Sequence, residues 1–94
     1  MSLMGKSLGM IETIGLAGCI AATDAMLKAS NIKLAGTYNR IGSGLISIMV
    51  QGEIGAVRAA VEAGEQAAER LTEIKSVHII PRPHQEVEKL FLRE

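Results

Sequence analysis

Residues 52–73 read GEIGAVRAAVEAGEQAAERLTE, and the reading of this stretch decides the fold. Ile54, Val57, Val61, Gly64, Ala68 and Leu71 recur at spacings of three and four, which is the period of one helical face. Glu53, Arg58, Glu62, Glu65, Glu69, Arg70 and Glu73 occupy the other side, where a solvated surface explains them. A helix with a single apolar stripe must cover something, and its flanks supply it. Leu45–Val50, rich in β-branched residues, reads as a strand before it, and Ser76–Ile80 as a short strand after it, ended by Pro81-Arg82-Pro83.

Working outward, the first half repeats the arrangement. Leu8–Thr13 reads as a strand, broken by Gly15 before an alanine-rich helix over Leu16–Ser30. Leu16, Cys19, Ile20, Thr23, Met26 and Leu27 fall in one stripe, expected to cover the sheet. Ala17, Gly18, Ala21, Ala22, Ala25 and Ala29 are then the outer face, an apolar surface suited to association. Asn31 ends this helix, and Ile32, Leu34 and Tyr38 alternate with polar residues as a half-buried strand. Gly42-Ser43-Gly44 joins it to Leu45–Val50, with two glycines supplying positive φ for a hairpin turn. Pro83 opens a last short helix through Leu90. The order is that of an α+β, ferredoxin-like βαββαβ fold: an antiparallel sheet with two helices on one face and a short C-terminal helix.

Composition bounds the function. The 94 residues fit one domain, expected over residues 7–92. Residues 1–6 are expected to be a disordered start, with Met1-Ser2-Leu3 resembling an expression scar ahead of Met4. Ten basic and ten acidic residues balance, and Tyr38 and Phe91 are the only aromatics. A nucleic-acid binder would concentrate basic charge and stacking platforms, so nucleic acid is not expected as a partner. No apolar run reaches the ~18 residues of a membrane span, and the lone Cys19 fits a reducing, cytoplasmic setting.

The residues offer little to catalysis. His78, His84 and Cys19 match no standard ligand spacing, so no metal is expected. Glu62, Glu65 and Glu69 lie on an exposed helical face, where no cleft would raise a carboxylate's pKa for acid catalysis. Gly42-Ser43-Gly44 lacks the third glycine and following helix of a dinucleotide loop, and the Gly-Lys-Ser/Thr of a phosphate loop. Ser43 has no evident base. No cofactor and no enzymatic activity are expected.

Several spaced segments together carry a resemblance. Leu8-Gly9-Met10-Ile11-Glu12-Thr13, Asp24-Ala25-Met26-Leu27-Lys28-Ala29, Ile41-Gly42-Ser43-Gly44-Leu45, Gly55-Ala56-Val57 and His78-Ile79-Ile80-Pro81-Arg82-Pro83-His84 stand in the order found in single-domain bacterial microcompartment shell proteins. The chain resembles the group related to propanediol, ethanolamine and carboxysome shell hexamers. That resemblance implies a cytoplasmic shell subunit: a cyclic homohexamer that tiles into sheets with other shell proteins, beside encapsulated enzymes. Its central pore for small polar metabolites would be lined by Gly42, Ser43 and Gly44, with Arg40 and Ile41 on the approach. Lys28, Asn31 and Arg82 would meet across hexamer edges. Taken alone, Lys28 reads as an i,i+4 partner of Asp24 and Arg82 as a loop charge. Two departures stand out. Ile14 replaces a lysine common in relatives, and Thr37-Tyr38-Asn39-Arg40 is one residue longer than their approach to the turn, as a β-bulge would be. The alternative function on this topology is a small-molecule-binding regulatory domain.

Overall fold

The structure, a computed structural model, describes residues 6–36 and 38–91. The expected start segment, apart from Lys6, lies outside them, as do Thr37 and Leu92. The elements are β1 (Ser7–Ile14), α1 (Leu16–Ala29), β2 (Lys33–Leu34), β3 (Asn39–Gly42), β4 (Leu45–Gly52), α2 (Ile54–Glu69), β5 (Ile74–Ile80) and α3 (Gln85–Phe91). All strand pairings among the described residues are antiparallel, in the order β2-β4-β1-β5, with β3 also on β4.

The ferredoxin-like order is present with its second strand divided. Lys33 and Leu34 pair with Gln51 and Val50, while Asn39, Arg40 and Gly42 pair with Ser47, Ile46 and Leu45. Both segments use the same side of β4, whose other side belongs to β1. Gly36, at φ +88°, turns the chain between them. The expected alternation of Ile32, Leu34 and Tyr38 therefore describes an interrupted edge rather than one continuous strand.

Strand alternation sorts the two faces of the sheet. Ile11 of β1 and Ile46, Ile48 and Val50 of β4 face the helices and join Met26, Val57, Ala60 and Val61 in the main core. Burying side chains such as Ile11, Met26 and Val57 stabilises the fold by about 1.5–3 kcal/mol each. The opposite face carries a smaller cluster of Leu8 and Ala35, joined by Met49, Ile80 and Val87 of α3.

One expectation about α1 holds only in part: Cys19 and Met26 of the expected stripe are buried, but its other bulky members are not. The buried residues of α1 are Gly18, Cys19, Ala22 and Met26, whereas Leu16, Ile20 and Leu27 are 41%, 58% and 46% exposed. Two helices side by side on a narrow sheet approach closely only where side chains are small. Gly64 of α2 shows how tightly: a Cβ there would lie 2.7 Å from Met26 Cγ, 2.8 Å from Ile11 Cδ1 and 3.1 Å from the Ala22 carbonyl. Gly18 and Ala22 therefore turn inward beside Cys19 and Met26, and Leu16, Ile20 and Leu27 are displaced to the outside. Leu71 is likewise excluded from the core, since α2 ends at Glu69 and leaves it 63% exposed.

Side-chain hydrogen bonds secure the corners. Glu53 caps α2 by accepting from the Gly55 N–H at 2.7 and 3.0 Å. Ser30 Oγ donates to the Ala56 carbonyl at 2.6 Å, tying the end of α1 to the start of α2. The Thr72 hydroxyl donates to the Ile14 carbonyl and holds the loop after α2 against β1.

Candidate functional site

The β3–β4 hairpin closes in two residues. Ser43 and Gly44 have φ of +54° and +80°, the sign pattern of a type I′ turn, and Gly42 precedes them at +107°. A Cβ at Gly42 would meet nothing within 4 Å, so backbone conformation and not crowding requires glycine there. The register shifts between Arg40 and Gly42, which makes Ile41 the bulged residue. A bulge was expected within Thr37–Arg40; the one seen lies at Ile41, outside that segment. Arg40, Ile41, Gly42, Ser43 and Gly44 are all exposed.

A neighbouring junction fixes the turn in place. Gly15, at φ +83°, donates its N–H to the Gly44 carbonyl at 2.7 Å. The hairpin tip is therefore tied to the strand-to-helix corner of the first half. Sequence reading placed Gly15 only as a breaker; the signal for more was a glycine directly between strand and helix.

The expected edge residues lie at the other end of the sheet. Lys28 and Asn31 stand at the end of α1, and the Asn31 carbonyl and Ile32 border Gly52. Gly52 pairs with Ser7, whose Oγ donates to the Pro81 carbonyl at 2.8 Å, one residue before Arg82. The turn adjoins Leu45 and Ile14, the opposite ends of the same two strands. Along the eight residues Leu45–Gly52 the two groups are separated by roughly 23 Å at ~3.3 Å per residue. Lys28 Nζ lies 2.8 Å from Asp24 Oδ2, both side chains being largely exposed.

Between these ends, α1 presents the displaced residues. Leu16, Ile20, Thr23 and Leu27 line a groove of about 570 Å3 whose other wall includes Leu34 and Tyr38. Cys19 borders it from within the core. Burial pushes its thiol pKa up, with a smaller opposing pull from the hydrogen bond with Thr23, which disfavours the thiolate a nucleophile needs. His78 lies on the opposite face of the sheet, beside Met10 and Val87, and His84 sits at the start of α3. The three residues weighed as metal ligands do not converge.

The BMC domain matches residues 7–83. The chain belongs to that family. It is 53% identical over 85 residues to the bacterial microcompartment shell protein PduA of Citrobacter freundii, covering 90% of each chain. Against the bacterial microcompartment shell protein EutM of Escherichia coli (strain K12) the identity is 51% over 86 residues, covering 92% of this chain and 88% of that one. The carboxysome shell protein CsoS1 of Prochlorococcus marinus is also 51% identical over 86 residues, with 90% and 82% covered. A solved microcompartment protein from Desulfitobacterium hafniense superposes with a TM-score of 0.77 at 30% identity over 87% of this chain. The chain spans only 44% of that protein. Proteins of this family are structural shell subunits and not enzymes, and this BMC-domain chain is one of them.

Proposed function

We propose that this BMC-domain chain forms cyclic homohexamers that tile, with other shell proteins, into the shell of a bacterial microcompartment in the cytoplasm. The turn Gly42-Ser43-Gly44 converges around the six-fold axis as a pore, with Arg40 and Ile41 on its approach. Lys28, Asn31 and Arg82 meet their counterparts across hexamer edges.

The observation that carries this reading is the placement of the two groups at opposite ends of the sheet, roughly 23 Å apart along strands rising ~3.3 Å per residue. A flat cyclic tile needs one end at the axis and the other at the rim. The groove on α1 supports association independently. Leu16, Ile20, Leu27 and Tyr38 are each more than 40% exposed in one protomer, and a contiguous apolar surface of that kind marks a protein interface.

Around an axis, six Ser43 hydroxyls and the adjacent backbone N–H groups would replace part of the hydration of a small polar metabolite. Gly42 and Gly44 carry no side chain to narrow the opening. Arg40 adds a positive charge at the approach, six-fold repeated. Native mass spectrometry at micromolar concentration tests the assembly directly. A hexamer is expected, and a monomer or trimer overturns the proposal.

A further inference from the structure

Met49, Met10 and His78 stand in one row across the sheet. Met10 of β1 pairs with Met49 of β4 on one side and with His78 of β5 on the other. Residues directly opposed in antiparallel strands project to the same face. Here it is the face that carries α3, and all three line one cavity of about 260 Å3 beneath that helix. The rest of the wall is hydrocarbon, Leu8 and Ile80 from the sheet and Val87 and Phe91 from α3. Among the described residues that line the cavity, two thioethers and an imidazole are therefore the side-chain donors.

We propose that this row is a binding site for a soft monovalent metal ion, Cu(I), held by the sulfurs of Met10 and Met49 and a ring nitrogen of His78. Strands lie about 4.8 Å apart, so an ion above Met10 is roughly 5 Å sideways from each neighbour in the row. An unbranched thioether with three rotatable bonds, or an imidazole, spans that distance. His78 is exposed at the rim and the methionines are half-buried, so an ion meets the imidazole first and the sulfurs behind it. No sequence spacing joins these residues; the strand register does. Cys19 lies on the opposite face of the sheet, and His84 Nδ1 is occupied at the start of α3, accepting from the Glu86 N–H at 3.1 Å.

The donor set selects the ion. Thioether sulfur favours Cu(I) and imidazole also accepts it, whereas Mg2+ and Ca2+ require oxygen ligands that this cavity does not offer. Zn2+ takes four ligands, with thiolate rather than thioether sulfur. Among the described residues, no three His, Cys, Asp or Glu side chains gather to supply such a set. Charge acts in the same direction: an ion enters an apolar cavity only where donors replace its hydration, and one charge costs far less to bury than two. Methionine also serves as a flexible gap filler under a packed helix. In that role leucine would replace it without consequence for metal retention, and the two roles separate on that measurement. The inference rests on the protomer alone and not on the hexamer or its pore.

The test uses the full chain in its native assembly and Cu(I) supplied anaerobically as its acetonitrile complex, in competition with the weak chromophoric chelator ferrozine. Each protomer is expected to take one Cu(I) from the chelator. Met10→Leu, Met49→Leu and His78→Asn should each weaken retention by more than the roughly 10–100-fold that losing an outer-shell partner costs, while Cys19→Ala should leave it unchanged. Methionine to leucine nearly conserves volume, so these variants are expected to fold. A readout on the unmodified chain needs no variant: Ag(I), equally soft and monovalent and inert to air, should shift the methyl resonances of Met10 and Met49 among the five methionines, together with the His78 ring. Failure to take up Cu(I), retention that survives in the Met10 and Met49 variants, retention that is lost in Cys19→Ala, or methyl shifts confined to the other methionines would each overturn the proposal.

Discussion

Replacing Gly42 by L-alanine tests the physical reading of the hairpin tip most directly. The backbone there has φ +107°, outside the region that L residues readily adopt, yet a new Cβ would meet no atom within 4 Å. The whole effect should therefore come from backbone strain, about 1–3 kcal/mol per protomer. Gly44 has φ +80°, and a methyl group added to it would lie 4.0 Å from Ile14 Cγ2. It should behave the same way at slightly lower cost, about 1–2 kcal/mol. A D-alanine at either position, introduced by chemical ligation, prefers positive φ and should stay within about 0.5 kcal/mol of the parent. Ser43→Gly relieves a non-glycine residue at φ +54° and should be neutral or stabilising by up to about 1 kcal/mol. Urea denaturation at one fixed protein concentration, with sedimentation confirming the same assembly in each variant, measures the series. The reasoning fails if L- and D-alanine at position 42 are equally destabilising, because crowding and not chirality would then be responsible.

Three further outcomes are expected. Gly64→Ala gains about 1 kcal/mol in helix propensity, but its methyl must displace the buried Met26 and Ile11. A net loss of about 1–2 kcal/mol should appear in thermal unfolding, since overpacking costs about 1–3 kcal/mol and here one close neighbour is the Ala22 carbonyl. Ile20→Lys, at a position 58% exposed in the protomer, should leave the protomer fold intact. If the α1 groove is an interface, the same change should raise the concentration needed for assembly roughly thirty-fold, the effect of losing a ~2 kcal/mol contact; unchanged native mass spectra on dilution would contradict that. Lys28→Ala or Arg82→Ala should preserve hexamers and reduce extended sheets in electron micrographs, and unaltered sheets would count against the edge assignment.

Local patterns made much of this chain readable. The three- and four-residue spacing of Val57, Val61, Gly64 and Ala68 identified α2 and its buried face, and β-branched residues marked β4, because both signals depend on neighbours within a few positions. Glycines flanking Ser43 likewise announced a tight turn, and the spaced motifs indicated the BMC family that residues 7–83 match. Packing between distant elements was not readable in the same way. Which side of α1 is buried depends on how closely α2 approaches, so Gly18 and Ala22 went inside while Leu16 and Ile20 were left outside, against the hydrophobic pattern. The break between β2 and β3 and the bulge at Ile41 depend on register with β4, and no spacing within the edge segment encodes that partner. His84 as a cap and Gly15 as the donor to Gly44 are also tertiary outcomes. The sequence by itself determined the element types, their order and the chemistry available at the turn. Only the tertiary structure decided which faces meet and that the turn and the residues proposed for the edge lie at opposite ends of one sheet, because those follow from contacts between residues far apart in the chain.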